Sequence, residues 1–112
     1  MKKVLIVQPV ENISQKELSN DLNEAYNYFT SKGFEPISYT ESLIDDENAD
    51  KLDVKNKYLY HLSDMFYCLS TIDCVYFTDG WVLDKTCRII RLASILYNIE
   101  ILEKEEEKEE NN

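Results

Sequence analysis

Glycine and proline are scarce in this chain, two of each among 112 residues. No P-loop and no G-x-G-x-x-G turn is present, which removes the loops that cradle phosphates in nucleoside triphosphatases and dinucleotide enzymes. Cysteine is sparse and odd in number: Cys68, Cys74 and Cys87 lie in apolar patterns without C-x-x-C spacing. They read as reduced core thiols, not as a disulfide framework or zinc site. No apolar run approaches the roughly 18 residues of a membrane span, and residues 4–7 behind Lys2 and Lys3 are too few for a secretory core. Positive charge is also short, with 12 Lys and Arg against 22 Asp and Glu and a net charge of −10. Such a chain is ill suited to neutralising a nucleic-acid polymer or approaching an anionic membrane. The absences lead to the expectation of a cytoplasmic protein with no cofactor, no metal and no polymer or membrane partner.

What is present suits a single folded unit. Apolar residues make up 44% of the chain, enough for one core over residues 1–102. The last ten residues hold six Glu and two Lys, and residues 103–112 read as an acidic disordered tail. Residues 3–7 form a continuous apolar run of β-type residues, the mark of a strand buried on both faces. Ser14 and Glu17 make a capping box, flanked by Ile13 and Leu18 as a hydrophobic staple. Leu18, Leu22, Ala25 and Phe29 then recur at helical spacing until Gly33 supplies the stop.

Residues 34–39 suggest a second strand, and residues 40–53 an acidic, weakly patterned loop. Over residues 54–69 the stripe of Leu59, Leu62, Met65, Phe66 and Leu69 predicts a second helix. Residues 73–78 predict a strand, 84–97 a helix and 99–102 a short final strand. Alternating strands and helices with connections of this length imply an α/β fold. The expected form is a small Rossmann-like or flavodoxin-like three-layer sandwich around a mostly parallel four-stranded sheet.

The segment from Asp73 to Ile90 carries the chemistry. It reads Asp-Cys-Val-Tyr-Phe-Thr-Asp-Gly-Trp-Val-Leu-Asp-Lys-Thr-Cys-Arg-Ile-Ile, a strand running into Gly80-Trp81, a polar turn and an amphipathic helix. Ligands of open α/β sheets bind where a strand's carboxyl end meets the following helix. The segment resembles the closing strand-loop-helix of the nucleoside 2-deoxyribosyltransferase-like families, above all the small phage and bacterial branch called DUF4406. Their pattern is Asp-x-φ-φ-φ-φ-x-Gly-Trp-x-x-Ser-x-Gly-Ala-x-x-Glu, with φ apolar. Gly80 and Trp81 match it, while Asp84 stands at the Ser, Thr86 at the Gly and Cys87 at the Ala. Ile90 stands where the nucleophilic Glu of the transferases belongs. The resemblance covers residues 3–102 and implies the same order of strands and helices.

That one replacement decides the functional expectation. Isoleucine cannot attack an anomeric carbon, so the glycosyl-enzyme of the family mechanism is closed to this chain. Thr86 departs from the motif too, since a β-branched residue resists the positive φ that glycine permits. The remaining expectations concern the pocket. The first family loop, Gly-Pro-Met, reads Gln8-Pro9-Val10 here; Gln8 either offers an amide to a base edge or simply ends the strand. Asp84 caps the third helix, where the helix dipole favours its charge, and is also placed to accept from a ligand hydroxyl. Asp79 is a second acceptor at the pocket mouth or a turn residue of the Asp-Gly pair. Trp81 offers its face to a base or ribose, or covers the sheet edge, or fills a dimer interface.

Tyr39 and Thr40 are further candidate lining. The candidate ligand-binding set is therefore Gln8, Pro9, Tyr39, Asp79, Gly80, Trp81, Asp84, Thr86 and Ile90. Arg88 and Arg91 either hold a ligand phosphate or bridge to acidic surface or a partner subunit. His61 reads as a satisfied surface imidazole and Cys87 as a buried structural thiol. Three functions remain open on these residues. One is a non-catalytic binder of a nucleoside- or nucleotide-like small molecule. Another is an N-glycosidic hydrolase or transferase using Asp79, Asp84 or an oligomer partner's residue. The last is an interaction scaffold, with a homodimer or higher homo-oligomer formed through the third helix.

Overall fold

The computed structural model describes residues 1–9, 13–38 and 53–104, with only the backbone described at Lys57. The expectations for Tyr39, for most of the 40–53 loop and for residues 105–112 of the tail lie outside the described residues. Along the chain come β1 (Lys3–Val7), α1 (Gln15–Ser31), β2 (Glu35–Ser38), α2 (Lys57–Leu69), β3 (Cys74–Phe77), a 3-10 turn (Trp81–Leu83), α3 (Lys85–Leu96) and β4 (Glu100–Leu102). The sheet has four strands in the order β2-β1-β3-β4, and all neighbours are parallel. The fold is thus an α/β sandwich of small flavodoxin-like order. The sheet is wholly parallel where the sequence promised a mostly parallel one.

Register explains the unbroken apolar run of β1. Leu5 and Val7, with Val75 and Phe77 beside them, pack against α2 and α3. Val4 and Ile6, with Cys74, pack against Ala25 and Phe29 of α1. Successive side chains point to opposite faces, and both faces are covered. Connection order sets which helix goes where. The step from β1 to β2 runs one way along the sheet and the later steps run the other way, so crossovers of one hand place α1 opposite α2 and α3. Phe29 fastens α1 down, meeting Tyr28, Phe34 and Tyr76 edge-on at 5.0, 5.7 and 5.0 Å between ring centres.

The helix ends follow local chemistry. Ser14 Oγ accepts from the Glu17 amide at 3.1 Å, and Asn56 Oδ1 does the same for Leu59. Past α1, Gly33 takes φ +87° while Gly33 N donates to Thr30 O and Phe34 N to Phe29 O, the paired bonds of a Schellman stop. Past α3, Asn98 takes φ +58°, with Asn98 N donating to Ile95 O and Ile99 N to Ser94 O. Asparagine is the side chain that tolerates this left-handed position best after glycine.

The structure moves one residue outright. His61 is buried, not a surface imidazole. Its position on α2 shares the inward arc with Met65 and Leu62, whereas Leu59 is 62% exposed and Phe66 40%. No described helix is long and apolar enough to cross a membrane.

Candidate functional site

A cleft of about 680 Å³ opens between α1, the carboxyl end of β3 and the end of β4. Its origin is the uneven distribution of helices. Among the described residues, α2 and α3 pack on one face of the sheet and α1 alone on the other. Tyr76 and Leu102, neighbours in register on β3 and β4, border that single-helix face and remain half-buried beside α1. They form the floor. Asp21, Glu24, Ala25 and Tyr28 supply the α1 wall, and Trp81 and Arg91 close the far end. The volume lies within the range that small-molecule sites occupy.

Thr78 is the buried hydroxyl at the edge of the cleft. It follows β3, where its amide donates to Val7 O at 3.0 Å and ties it to the sheet. The residue lines the cleft and is 2% exposed, yet its Oγ1 has no hydrogen-bond partner among the described residues. A buried hydroxyl in that condition costs about 1–3 kcal/mol.

The walls are acidic. Asp21, Glu24, Asp79 and Glu103 face a space in which Arg91 and Lys104 are the lining cations. Lys104 Nζ is already 3.6 Å from Glu24 Oε1 and 5.7 Å from the centre of the Tyr28 ring. The Arg91 guanidinium lies 4.4 Å over the Trp81 ring and 5.6 Å from Phe77, a cation held on aromatic faces. Desolvation first, and then the charges of Asp79, Glu24 and Glu17, raise the Asp21 carboxyl above its ordinary pKa, with Lys104 opposing. Burial, Asp79, Glu24 and Asp21 raise the Tyr76 phenol in the same sense.

Of the nine residues singled out in the sequence, the structure brings Asp79 and Trp81 to this cleft. Gln8 is buried and donates from Nε2 to Leu18 O at 2.8 Å, fastening the β1 end to α1. Pro9 is buried, and its Cγ lies 3.6 Å from where a Cβ on Gly80 would stand. That is ordinary contact, so Gly80 is required by its φ of +88° and not by crowding. Asp84 is 2% exposed and caps α3, accepting at Oδ1 from the Cys87 amide at 2.9 Å. Thr86 is buried on the first turn of α3. Ile90 is fully buried in the core with Leu62, Met65 and Val75, not at the cleft. The nucleophile position of the resembled motif therefore points into the packed layer between α3 and the sheet.

Cys87 shares that interior. Burial foremost, then the charge of Asp84 and a hydrogen bond to it, push its thiol far above the ordinary value, so a thiolate there is strongly disfavoured. The two arginines part company: Arg91 lines the cleft, whereas Arg88 is exposed elsewhere on α3. Among the described residues no cluster of His, Cys, Asp and Glu fits a metal ion.

Sequence reasoning missed Asp21, Glu24, Tyr28, Tyr76 and Thr78. A signal exists for four of them. Asp21, Glu24 and Tyr28 recur at helical spacing immediately beside the apolar stripe of α1, and Tyr76 is the one hydroxylated side chain within the apolar strand β3. No family model matches the chain, no curated protein matches it, and no solved structure matches it.

Proposed function

We propose that the protein is a non-catalytic binder of a nucleoside-like small molecule, seated in the cleft between α1 and the ends of β3 and β4. The observation that carries this reading is the buried Thr78 hydroxyl, left without a described partner at the edge of an aromatic cleft. A buried polar group of this kind calls for a partner, and a ligand in the cleft would supply one. Tyr28, Tyr76 and Trp81 offer π-faces and edges for a heterocycle. The carboxylates of Asp21, Glu24 and Asp79 are acceptors, suited to sugar hydroxyls and exocyclic amines. The same carboxylates repel phosphate, which narrows the expectation from nucleotides to unphosphorylated nucleosides. The Gly80-Trp81 turn and its resemblance to the deoxyribosyltransferase-like motif point to the same ligand class, and Ile90 removes the family's attacking group.

Thermal denaturation with adenosine, cytidine and their 2′-deoxy forms at millimolar concentration tests the reading, because a ligand of the native state raises the midpoint by mass action. A rise with nucleosides and a smaller one with their monophosphates is the expected result. A flat response to every nucleoside removes the proposal.

A second reading rests on one observation. Asp79 and Asp21 line a single cleft, and the charge of Asp79 helps raise the Asp21 carboxyl. Two carboxyl groups facing one cleft, with the proton held more firmly on Asp21, suit the acid and base roles of glycoside hydrolysis. Chromatography for free base after incubation with deoxynucleosides separates the two readings. Sustained release that disappears in Asp79→Asn favours the hydrolase.

A further inference from the structure

Helix α3 differs in charge from the rest of an acidic chain. No Asp or Glu occurs between Asp84 and Glu100, and the chain's two arginines both fall in that interval. Its outward face is apolar. Ile89, Leu92, Ile95 and Leu96 recur at helical spacing and are 42–66% exposed, and Leu83 and Tyr97 at its two ends are 85% and 79% exposed. An apolar hollow of about 250 Å³ lies alongside, between Phe66 and Leu69 of α2 and Ala93, Tyr97 and Ile99 on the other side.

We infer that this face takes a second copy of the chain, with the two α3 helices packed antiparallel about a two-fold axis. The inference is independent of any ligand in the cleft. Three features on the molecule name the occupant. Self-association of a chain carrying a net charge of −10 is opposed by like charge wherever acids meet acids, and α3 is a described surface without any. Antiparallel pairing also brings Lys85 and Arg88 of each copy to the carboxyl end of the other helix. That end carries the negative pole of the helix and has no basic residue in its own last turn. Parallel pairing instead sets Arg88 against Arg88, which is why the orientation follows.

The exposed area has the right size as well. With on the order of 150 Å² for a fully open large side chain, these residues together with Val82 leave on the order of 600 Å² of apolar surface. That is at the upper end of what a monomer exposes and near the ~800 Å² each partner gives to a standard interface. A two-fold axis makes the patch complementary to itself, with Leu92 near the centre and each Tyr97 beside the other copy's first turn.

Sedimentation of the full chain from low micromolar to several hundred micromolar tests this. The expected mass is twice the 13.2 kDa of one chain. Leu92→Glu should raise the dissociation constant at least about tenfold while the far-ultraviolet dichroism stays unchanged. Arg88→Glu should weaken the dimer too, and more so at low salt. Should Leu92→Glu unfold the chain, Ile95→Glu is read in its place. A wild type that stays monomeric throughout overturns the inference, including one that pairs only with a different protein. So does a dimer indifferent to both Leu92→Glu and Ile95→Glu.

Discussion

Thr78 illustrates how one side chain separates stability from recognition. Its hydroxyl is buried and lacks a described partner, so removing it without changing shape relieves a cost. Thr78→Val is expected to stabilise the free protein by about 1 kcal/mol in urea denaturation and, under the proposed function, to lower the midpoint rise expected with nucleosides. A variant that is destabilised instead has lost a hydrogen bond, and the hydroxyl is then no ligand handle. Ile90 gives the opposite case. A carboxylate at this fully buried site has no counter-charge among its packed neighbours, so Ile90→Glu should cost more than about 3 kcal/mol and yield no base release.

His61 supplies a pH signature. Burial foremost, opposed by Asp64 and Asp84, holds its imidazole below the ordinary 6.5. As pH falls through that value the unfolded chain takes up the proton first, so the residue's contribution to stability declines until the lower folded value is reached. The stability of the wild type relative to His61→Gln should therefore fall on acidification from neutral pH, as read from paired urea titrations. A difference that stays constant or grows removes the depressed imidazole.

At the scale of elements, local chemistry had announced most of the fold. The capping serine, the alternating four- and three-residue apolar spacing of α1 and the glycine stop are each short-range signals that a sequence displays openly. The parallel sheet was legible because a strand apolar at every position has both faces covered. Helix α2 shows where this reasoning ends. Counting Leu59 and Phe66 as core and discounting His61 turns the helix by part of a turn, and only packing against Val75 and α3 sets the true arc. The site was less legible for a related reason. Asp84 and Ile90 were read through a motif, and a motif does not say which face of a helix meets the sheet. The stop of α3 carries its own prediction. Asn98 sits at φ +58°, so Asn98→Gly should be neutral or stabilising by up to about 1 kcal/mol, and Asn98→Val destabilising by about 1–2 kcal/mol. Equal effects of the two, measured by thermal denaturation, would deny that the left-handed turn ends the helix.

For the molecule as a whole, helix number and charge act together. Among the described residues, one helix on one face and two on the other leave open the space that becomes the cleft, and like charges gather around it, where desolvation and then Asp79, Glu24 and Glu17 raise the Asp21 carboxyl. Raising sodium chloride to about 1 M shortens the screening length to about 3 Å and should lift the thermal midpoint by relaxing Asp21, Glu24 and Asp79. A fall in the midpoint would mean that ion pairs such as Lys104–Glu24 outweigh the repulsion.

Trp81 brings one practical gain. Because the chain has a single indole, and because that indole lies under Arg91 at the end of the cleft, its fluorescence comes from the site and from nowhere else. Any occupant that slides between guanidinium and ring, or excludes water from it, will change the emission, so the protein carries its own optical gauge of occupancy without a label.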